Sequence, residues 1–150
     1  MAYEVRVVQL TPSTIACARK RIRWSEIASN VRPLFDAVYA FLRTAPVKPD
    51  GHNVCIYHAL SETEVEMETG VQVSAEFASG ADIHCSATPG GRAATTSHIG
   101  PYDQLHRAYK ALIDWCDAHD EKRSSHSWEL YGDWTDDPTK LRTDVFWLLQ

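Results

Sequence analysis

Hydrophobic and polar positions alternate along the start of the chain, which is typical of half-buried β-strands. The segment YEVRVVQL (residues 3–10) alternates apolar with charged side chains up to the pair Val7-Val8. Thr11-Pro12-Ser13 breaks the pattern, and the extended segment TIACARKRI (residues 14–22) follows it. We therefore expect two strands before Trp24.

The next segment changes to the helical period. From Ile27 to Leu42 the apolar residues recur every three or four positions, and Ser25 is placed to cap the N-terminus. Pro33 lies inside this run, where it removes one backbone hydrogen bond and predicts a kink or a restart near Asn30. The prolines and the glycine of APVKPDG (residues 45–51) then predict a loop.

Three further extended segments lie in the middle of the chain. NVCIYHAL (residues 53–60) and TEVEMETGVQVSAEF (residues 63–77) both have strand character. Gly70 in the second of them indicates a bulge or a close approach of two backbones. A Pro-Gly-Gly turn at residues 89–91 leads into the third, RAATTSHI (residues 92–99).

The last third of the chain contains a second amphipathic helix and two strands. Pro101 is expected at the first helical position. SWELY (residues 127–131) and LRTDVFWLL (residues 141–149) are the predicted strands, separated by the polar loop GDWTDDPTK. The apolar face of the predicted helix consists of Leu105, Ala108, Tyr109, Leu112, Trp115 and Cys116.

The order strand, helix, strand, strand occurs twice, with repeat 1 at about residues 1–80 and repeat 2 at about residues 86–150. We predict a single α+β domain, residues 1–150, built from a duplicated βαββ module. It should contain two pseudo-symmetric repeats, antiparallel sheets, two long helices and a central ligand groove at the pseudo-twofold axis. Aligning the repeats pairs Tyr57 with Tyr131, Cys55 with Glu129 and Trp24 with Tyr102.

Composition and charge narrow the classes of protein. A chain of 150 residues, 44% hydrophobic, is long enough to form its own core. It has neither the roughly 20-residue apolar run of a membrane span nor, in MAYEVRVVQL, a signal-peptide pattern, so we expect a cytoplasmic protein without membrane contact. The net charge of −5 argues against direct nucleic-acid binding, and the basic residues 19–23 are interpreted as a solvated strand end.

Cysteines and histidines give no signal of a bound metal or a nucleophile. The four cysteines, Cys17, Cys55, Cys85 and Cys116, are widely spaced and contain no C-x-x-C pair, as expected for reduced thiols. The neighbours His84 and Cys85 would point to opposite faces of a strand. None of the seven histidines has the motif spacing of a catalytic triad, and the sequence predicts neither a cofactor nor a metal.

Four motifs in order resemble one known family. They are TPGGRAA (residues 88–94), HIGPY (residues 98–102), WELY (residues 128–131) and LRTDV (residues 141–145). Together they are similar to the GyrI-like small-molecule-binding family, which includes effector-binding domains of multidrug-responsive AraC-type and MerR-type regulators. The resemblance covers nearly the whole chain. Because 150 residues leave no room for a helix-turn-helix segment as well, we expect a stand-alone domain rather than a transcription factor.

The resemblance implies two βαββ repeats around a hydrophobic groove that binds cationic aromatic compounds. The groove would be lined by aromatic rings and a buried glutamate, which matches Glu129 here. Some stand-alone members of the family hydrolyse strained electrophiles such as cyclopropane-bearing alkylators. Others resemble DNA gyrase inhibitors, which act through a protein partner.

Local pattern alone leaves two interpretations of Glu129 open. On a strand, Glu129 and Tyr131 share one face while Trp128 and Leu130 share the other, so Glu129 either points to water or lies where a charge is costly. A carboxylate kept in an apolar cleft would gain from a ligand cation or would hold a proton for chemistry. The resemblance favours the buried interpretation.

The remaining site candidates are aromatic, and each has an ordinary structural alternative. Tyr102 and Trp24 are predicted to close the groove or to pack helix against sheet. Trp115 and Tyr39 lie on helix faces where core packing is the simpler role, and Trp147 on the last strand is ambiguous. Trp134 lies in a loop that would be a lid or a plain turn. His98, just before Gly100-Pro101, would either orient the start of the helix or, as the default, lie at the surface.

Three functional hypotheses follow. The first is a binding protein for amphipathic aromatic cations, with Glu129 as counter-ion and Tyr131, Tyr102, Trp24, Trp115, Trp147 and Tyr39 as candidate walls. The second is a hydrolase of cyclopropanoid or other strained electrophiles, in which Glu129 with a raised pKa is the general base and Tyr131 assists. The third, ranked last, is a protein-interaction module with gyrase as partner.

Overall fold

The computed structural model describes residues 3–80 and 82–150, so Met1, Ala2 and Ala81 lie outside the described residues. The described residues form an α+β fold of eight strands and two long helices. Short 3-10 turns at Trp24–Glu26 and Tyr102–Gln104 precede the helices, and a third lies at Pro138–Lys140. The elements are β1 (Arg6–Leu10), β2 (Thr14–Arg23), α1 (Ile27–Leu42), β3 (Pro49–Ala59), β4 (Glu64–Val73), β5 (Ile83–Ala87), β6 (Gly91–Ile99), α2 (Leu105–Ala118), β7 (Arg123–Tyr131) and β8 (Arg142–Leu149).

The chain divides into two compact units. The first unit is Pro12–Thr88, and the second unit combines β1 with Pro89–Gln150. Each contains the predicted order strand, helix, strand, strand, as β2-α1-β3-β4 and as β6-α2-β7-β8, and all strand pairs within the units are antiparallel. The predicted duplication of a βαββ module is confirmed.

The first strand of the chain belongs to the second unit, which differs from the predicted repeat 1 of about residues 1–80. β1 pairs with β6 in the register Val8 to Ala93, and Val5 and Val7 pack against the core below α2. In the first unit β5 occupies the corresponding edge beside β2. Each module therefore has one additional edge strand. In the first unit this is β5, which follows the module in sequence, and in the second unit it is β1, which precedes the module.

The first unit builds its core between α1 and one face of its sheet, whose strand order is β3-β4-β2-β5. Val38 and Leu42 of α1 pack on Ala16 of β2 and Val71 of β4. Because side chains alternate along a strand, the odd-numbered residues of β4 face α1 and the even-numbered ones face away. At Gly70 the backbones of β2 and β4 meet so closely that the close approach predicted from sequence is confirmed.

The second unit repeats this arrangement with the strand order β1-β6-β8-β7. Leu112 and Cys116 of α2 pack on Ala94 of β6 and Val145 of β8. The predicted apolar face of α2 is thus the buried one. Over residues 3–80 and 82–150, no helix has the length and apolar character needed to cross a membrane.

Helix α1 begins and continues differently from the prediction. The 3-10 turn starts after Arg23, whose backbone N–H donates to the Glu26 carboxylate at 2.8 Å, so Ser25 is not the cap. The α-helix then runs without interruption through Pro33, and the predicted restart near Asn30 is wrong. A proline removes only one backbone bond, and the packing of the following turns maintains the helix. Pro101 likewise lies one position earlier than predicted, as the extended residue before its 3-10 turn.

The basic stretch on β2 lies beside acidic and polar side chains of the same unit. Arg21 donates two hydrogen bonds to the Glu64 carboxylate at 3.0 Å each, and the Lys20 ammonium donates to Asn30 at 2.8 Å. Most of these side chains are exposed. This arrangement is that of a solvated strand end whose charges are paired locally.

Candidate functional site

Glu129 lies near the C-terminal end of β7, with its side chain on the α2 side of the sheet. It is directly opposite Val145 of β8, which is part of the core under α2, and opposed residues of antiparallel strands share a face. The residue is only 6% exposed. The interpretation of Glu129 as a solvent-facing strand residue is therefore wrong.

Tyr131 holds the carboxyl group of Glu129. The two residues are two positions apart on β7, which places them on the same face, and the Tyr131 hydroxyl donates to Glu129 Oε2 at 2.5 Å. On the opposite face Trp128 stacks on Phe146 with ring centroids 5.2 Å apart. The alternation predicted for SWELY is the alternation observed.

Tyr102 completes a cluster of three side chains. It is the first residue of the 3-10 turn before α2, and its ring meets the Tyr131 ring edge to face, with centroids 5.8 Å apart and planes at 82°. Burial raises the pKa of the Tyr102 hydroxyl, although the residue remains 44% exposed. Glu129, Tyr131 and Tyr102 are thus linked in sequence: the Tyr131 hydroxyl bonds the Glu129 carboxyl group, and the Tyr131 ring contacts the partly exposed Tyr102 ring.

His98 positions the turn that carries Tyr102. It is 3% exposed, so its default placement at the surface is wrong. His98 Nε2 lies 3.0 Å from the Pro101 carbonyl oxygen, and Nδ1 lies 2.8 Å from the Tyr3 hydroxyl. A carbonyl oxygen can only accept, so Nε2 donates to Pro101, and in the neutral imidazole Nδ1 then accepts from the Tyr3 hydroxyl. The Tyr3 ring also stacks on the imidazole, with centroids 6.0 Å apart.

Replacing Tyr131 with phenylalanine tests the bond to Glu129. Tyr131→Phe should lower the free energy of unfolding by about 1.5 to 3 kcal/mol, the range for a hydrogen bond to a charged group, because a buried carboxyl oxygen loses a donor. The measurement is urea denaturation at neutral pH. Tyr102→Phe keeps the bond between Tyr131 and Glu129 and is the matched control. Equal midpoints for Tyr131→Phe and wild type would show that the hydroxyl bond contributes nothing to stability.

The first unit repeats the aromatic pair but not the carboxyl group. Trp24 opens the 3-10 turn before α1, its ring centroid lies 6.2 Å from that of Tyr57 on β3, and its Nε1–H donates to the Ser61 carbonyl at 3.2 Å. The buried Cys55 stands where the second unit has Glu129, with its Sγ 3.5 Å from Thr69 Oγ1. Tyr57 was not among the predicted site residues, although the repeat alignment that pairs it with Tyr131 contained the signal.

The remaining predicted residues are placed in the cores of the units. Trp115 packs in the core of the second unit and stacks on His119 with centroids 4.1 Å apart. Trp147 packs in the same core, and its Nε1–H donates to the Ser124 carbonyl at 2.8 Å. Tyr39 packs in the core of the first unit and donates to the Asn53 side chain, and burial raises its pKa.

The second unit has two further surface features, the exposed Trp134 and a groove beside β1. Trp134, in the loop after β7, is 77% exposed. A groove of about 640 Å³ on the second unit is lined by residues of β1, β6 and β8 with Tyr3, Glu4 and Val5 before β1, and none of the predicted site residues lines it. The chemistry predicted from the sequence is therefore concentrated at Glu129, Tyr131 and Tyr102.

The chain belongs to the family of GyrI-like small molecule binding domains, whose family model matches residues 3–150. The family resemblance stated from the four motifs is confirmed. No curated protein matches the chain in sequence.

Solved structures share the fold at low sequence identity. The C-terminal domain of EcmrR is 19% identical with a TM-score of 0.84, over 100% of this chain and 99% of that chain. SAV2435, solved bound to tetraphenylphosphonium, is 13% identical with a TM-score of 0.72, over 100% of this chain and 94% of that chain. A hydrolase from Listeria innocua is 8% identical with a TM-score of 0.64, over 98% of this chain and 92% of that chain.

Proposed function

We propose that this domain binds amphipathic aromatic cations, with Glu129 as the counter-ion and Tyr131 and Tyr102 as the flanking rings. The observation that carries the proposal is the burial of Glu129 next to Tyr131, which bonds its carboxyl group and whose ring contacts the partly exposed Tyr102. Membership of a small-molecule-binding family supports it. So does SAV2435, a protein of the same fold that was solved with an aromatic cation bound.

The energetics of a buried carboxylate explain why a cation is the expected ligand. Taking a charged carboxylate out of water costs several kcal/mol unless a counter-charge or hydrogen bonds compensate. The Tyr131 hydroxyl compensates part of that cost, and a bound ligand cation would add the opposite charge. Aromatic faces add about 0.5 to 2 kcal/mol of cation–π attraction once water is excluded. A ligand that is both aromatic and cationic uses both features.

The test is a titration with the fluorescent cation rhodamine 6G, followed by anisotropy. Glu129→Gln should raise the dissociation constant about 10- to 100-fold, equivalent to about 1.4 to 2.8 kcal/mol, because the amide keeps the shape but not the charge. Glu4→Gln is the matched control, since it removes the same charge from an exposed position of the same unit. The affinity of wild type should change little between low and physiological salt, because a buried ion pair is weakly screened.

Two results would contradict the proposal. Equal loss of affinity in Glu4→Gln and Glu129→Gln would mean that the dye responds to the net charge of −5 or binds in the groove that Glu4 lines, and not at Glu129. Absence of dye binding to wild type would instead favour a neutral ligand or a protein partner. The neutral dye Nile red separates these cases, since its binding should not depend on Glu129.

A hydrolytic role uses the same residues. The Tyr131 hydroxyl lies directly on the Glu129 carboxyl group, which is an arrangement suited to a general base beside a proton donor. Glu129 would take a proton from water as it attacks a cyclopropane carbon, the strained C–C bond would break, and the released carbon would take up a proton. The product is a ring-opened alcohol, which mass spectrometry detects as addition of one water. Turnover lost in Glu129→Gln while that variant still binds Nile red would support this role, and unchanged substrate with wild type would exclude it.

A cytoplasmic location is part of the proposal. The four cysteines are free, and three of them are buried. Free thiols in a chain with four cysteines are typical of a reducing compartment.

A further inference from the structure

A second cluster of ionisable side chains lies in the first unit, on the face of the sheet that points away from α1. It consists of His58 on β3 with Glu66 and Glu68 on β4. His58 is directly opposite Glu66 across the β3–β4 ladder, and Glu68 follows two residues later on the same face. Neighbouring strands therefore fix all three Cα positions.

The donor atoms of the cluster converge. His58 Nε2 and one carboxylate oxygen from each glutamate all lie within 4.8 Å of one another, and His58 Nε2 is 2.7 Å from Glu68 Oε1. Ligand bonds of about 2.0 to 2.2 Å in a tetrahedral zinc site place the ligand atoms roughly 3.5 Å apart. Small rotations of the half-buried His58 and Glu66 side chains bring the three donors to that spacing.

Neighbouring side chains fix the position of the Glu68 carboxylate. The residue is 6% exposed, the Cys17 thiol donates to its Oε2 at 3.1 Å, and Arg19 Nε lies 3.5 Å from the same oxygen. These contacts leave Oε1 directed to His58. Hydrogen bonds from outside a coordination sphere orient carboxylate ligands in this way.

We propose that His58, Glu66 and Glu68 bind a divalent transition-metal ion of the zinc class. One imidazole nitrogen with two carboxylate oxygens suits zinc, cobalt or manganese, whereas magnesium and calcium prefer oxygen ligands alone. Two carboxylates offset the charge of the ion, and the positive charge of Arg19 next to Glu68 reduces their combined negative charge. Three protein ligands leave a further coordination position for water or an anionic ligand. The proposal does not depend on the cation site, because Glu129 lies in the other unit.

The experiment uses the tag-free chain after removal of metal with a chelator. Cobalt(II) is titrated by visible absorption, and zinc by competition against the bound cobalt. Wild type should bind one equivalent, and His58→Gln and Glu66→Gln should each weaken binding by about 10- to 100-fold or more, since loss of even an outer partner costs that much in characterised sites. His52→Gln, on the same strand six residues away, is the matched control and should bind like wild type. Circular dichroism checks that each variant is folded.

Three outcomes would overturn the proposal. These are no cobalt spectrum with wild type, equal affinity in wild type and His58→Gln, or a thiolate-to-cobalt charge-transfer band, which would place the ion on a cysteine. Glu68 is left unchanged in this experiment because its replacement would also remove the contacts with Cys17 and Arg19 and lower stability, which would confuse loss of a ligand with loss of stability. Glu129→Gln should keep the metal and Glu66→Gln should keep the dye, so failure of one site is distinguishable from failure of the other.

Discussion

Gly70→Ala should unfold the first unit or lower its free energy of unfolding by more than about 4 kcal/mol, which is exceptional for one methyl group. A Cβ atom at this position would lie 1.9 Å from the Ala16 carbonyl oxygen and 2.8 Å from the Cys17 Cα. Both are backbone atoms of β2, so no side-chain rotation relieves the contact. The β2–β4 ladder, in which Gly70 is opposite Cys17, would have to separate.

The measurement is urea denaturation, together with the yield of soluble protein. Gly80→Ala is the control, because nothing lies within 4 Å of the Cβ it would add. A Gly70→Ala protein with the same denaturation midpoint as Gly80→Ala would contradict the packing of β2 against β4 described here. Because Cys17 and Glu68 lie on these two strands, the same variant should also disturb the cluster around His58.

The order of strands and helices could be predicted from the sequence because each element has its own local pattern of apolar and polar residues. The change from alternation to the helical period at Ile27, and again at Leu105, sets the order of elements in both modules. The strand with which β1 pairs could not be predicted, since an edge strand has no local feature that selects the sheet it joins. Only the packing of Val5 and Val7 under α2 decides it.

The candidate site could be predicted in part, again from local patterns. The period of two places Glu129 and Tyr131 together, and the repeat relates Tyr102 to Trp24. Burial of Glu129 depends on Val145, a residue of another strand, and was beyond the local pattern. The cluster of His58 with Glu66 and Glu68 depends on the register of two strands, which no metal-ligand spacing in the sequence expresses.

The two buried glutamates differ in the side chains that contact their carboxyl groups. Glu68 has an imidazole, a thiol and a guanidinium around its carboxylate, and burial, which alone would raise its pKa, is outweighed so that the value is about 2. The Glu129 carboxyl group accepts from the Tyr131 hydroxyl, and the Tyr131 ring contacts the Tyr102 ring. The protein itself therefore stabilises the ionised form of Glu68, and removal of that carboxylate should cost stability.

Glu68→Gln should lower the free energy of unfolding of the metal-free protein by about 3 kcal/mol at pH 7, and this loss should disappear in acid. The pKa of Glu68 is about 2 in the folded protein against its ordinary value of 4.5. A depressed pKa contributes stability that is fully present above about pH 4.5 and is lost as the pH falls towards 2, by about 1.4 kcal/mol for each pH unit of the shift. The gap in stability between wild type and Glu68→Gln should therefore narrow over this window.

Urea denaturation at intervals between pH 7 and pH 3, in the presence of a chelator, measures that gap. The neighbouring Glu64→Gln is the matched control, because its ion pair with Arg21 is exposed to solvent and its removal should matter little at any pH. A gap that stays constant down to pH 3 would mean that the ionised form of Glu68 is not what the surrounding His58, Cys17 and Arg19 stabilise. A gap that closes would locate this part of the acid sensitivity in one carboxylate. The remaining acid sensitivity would then belong to exposed pairs such as Arg92 with Glu121, which added salt weakens.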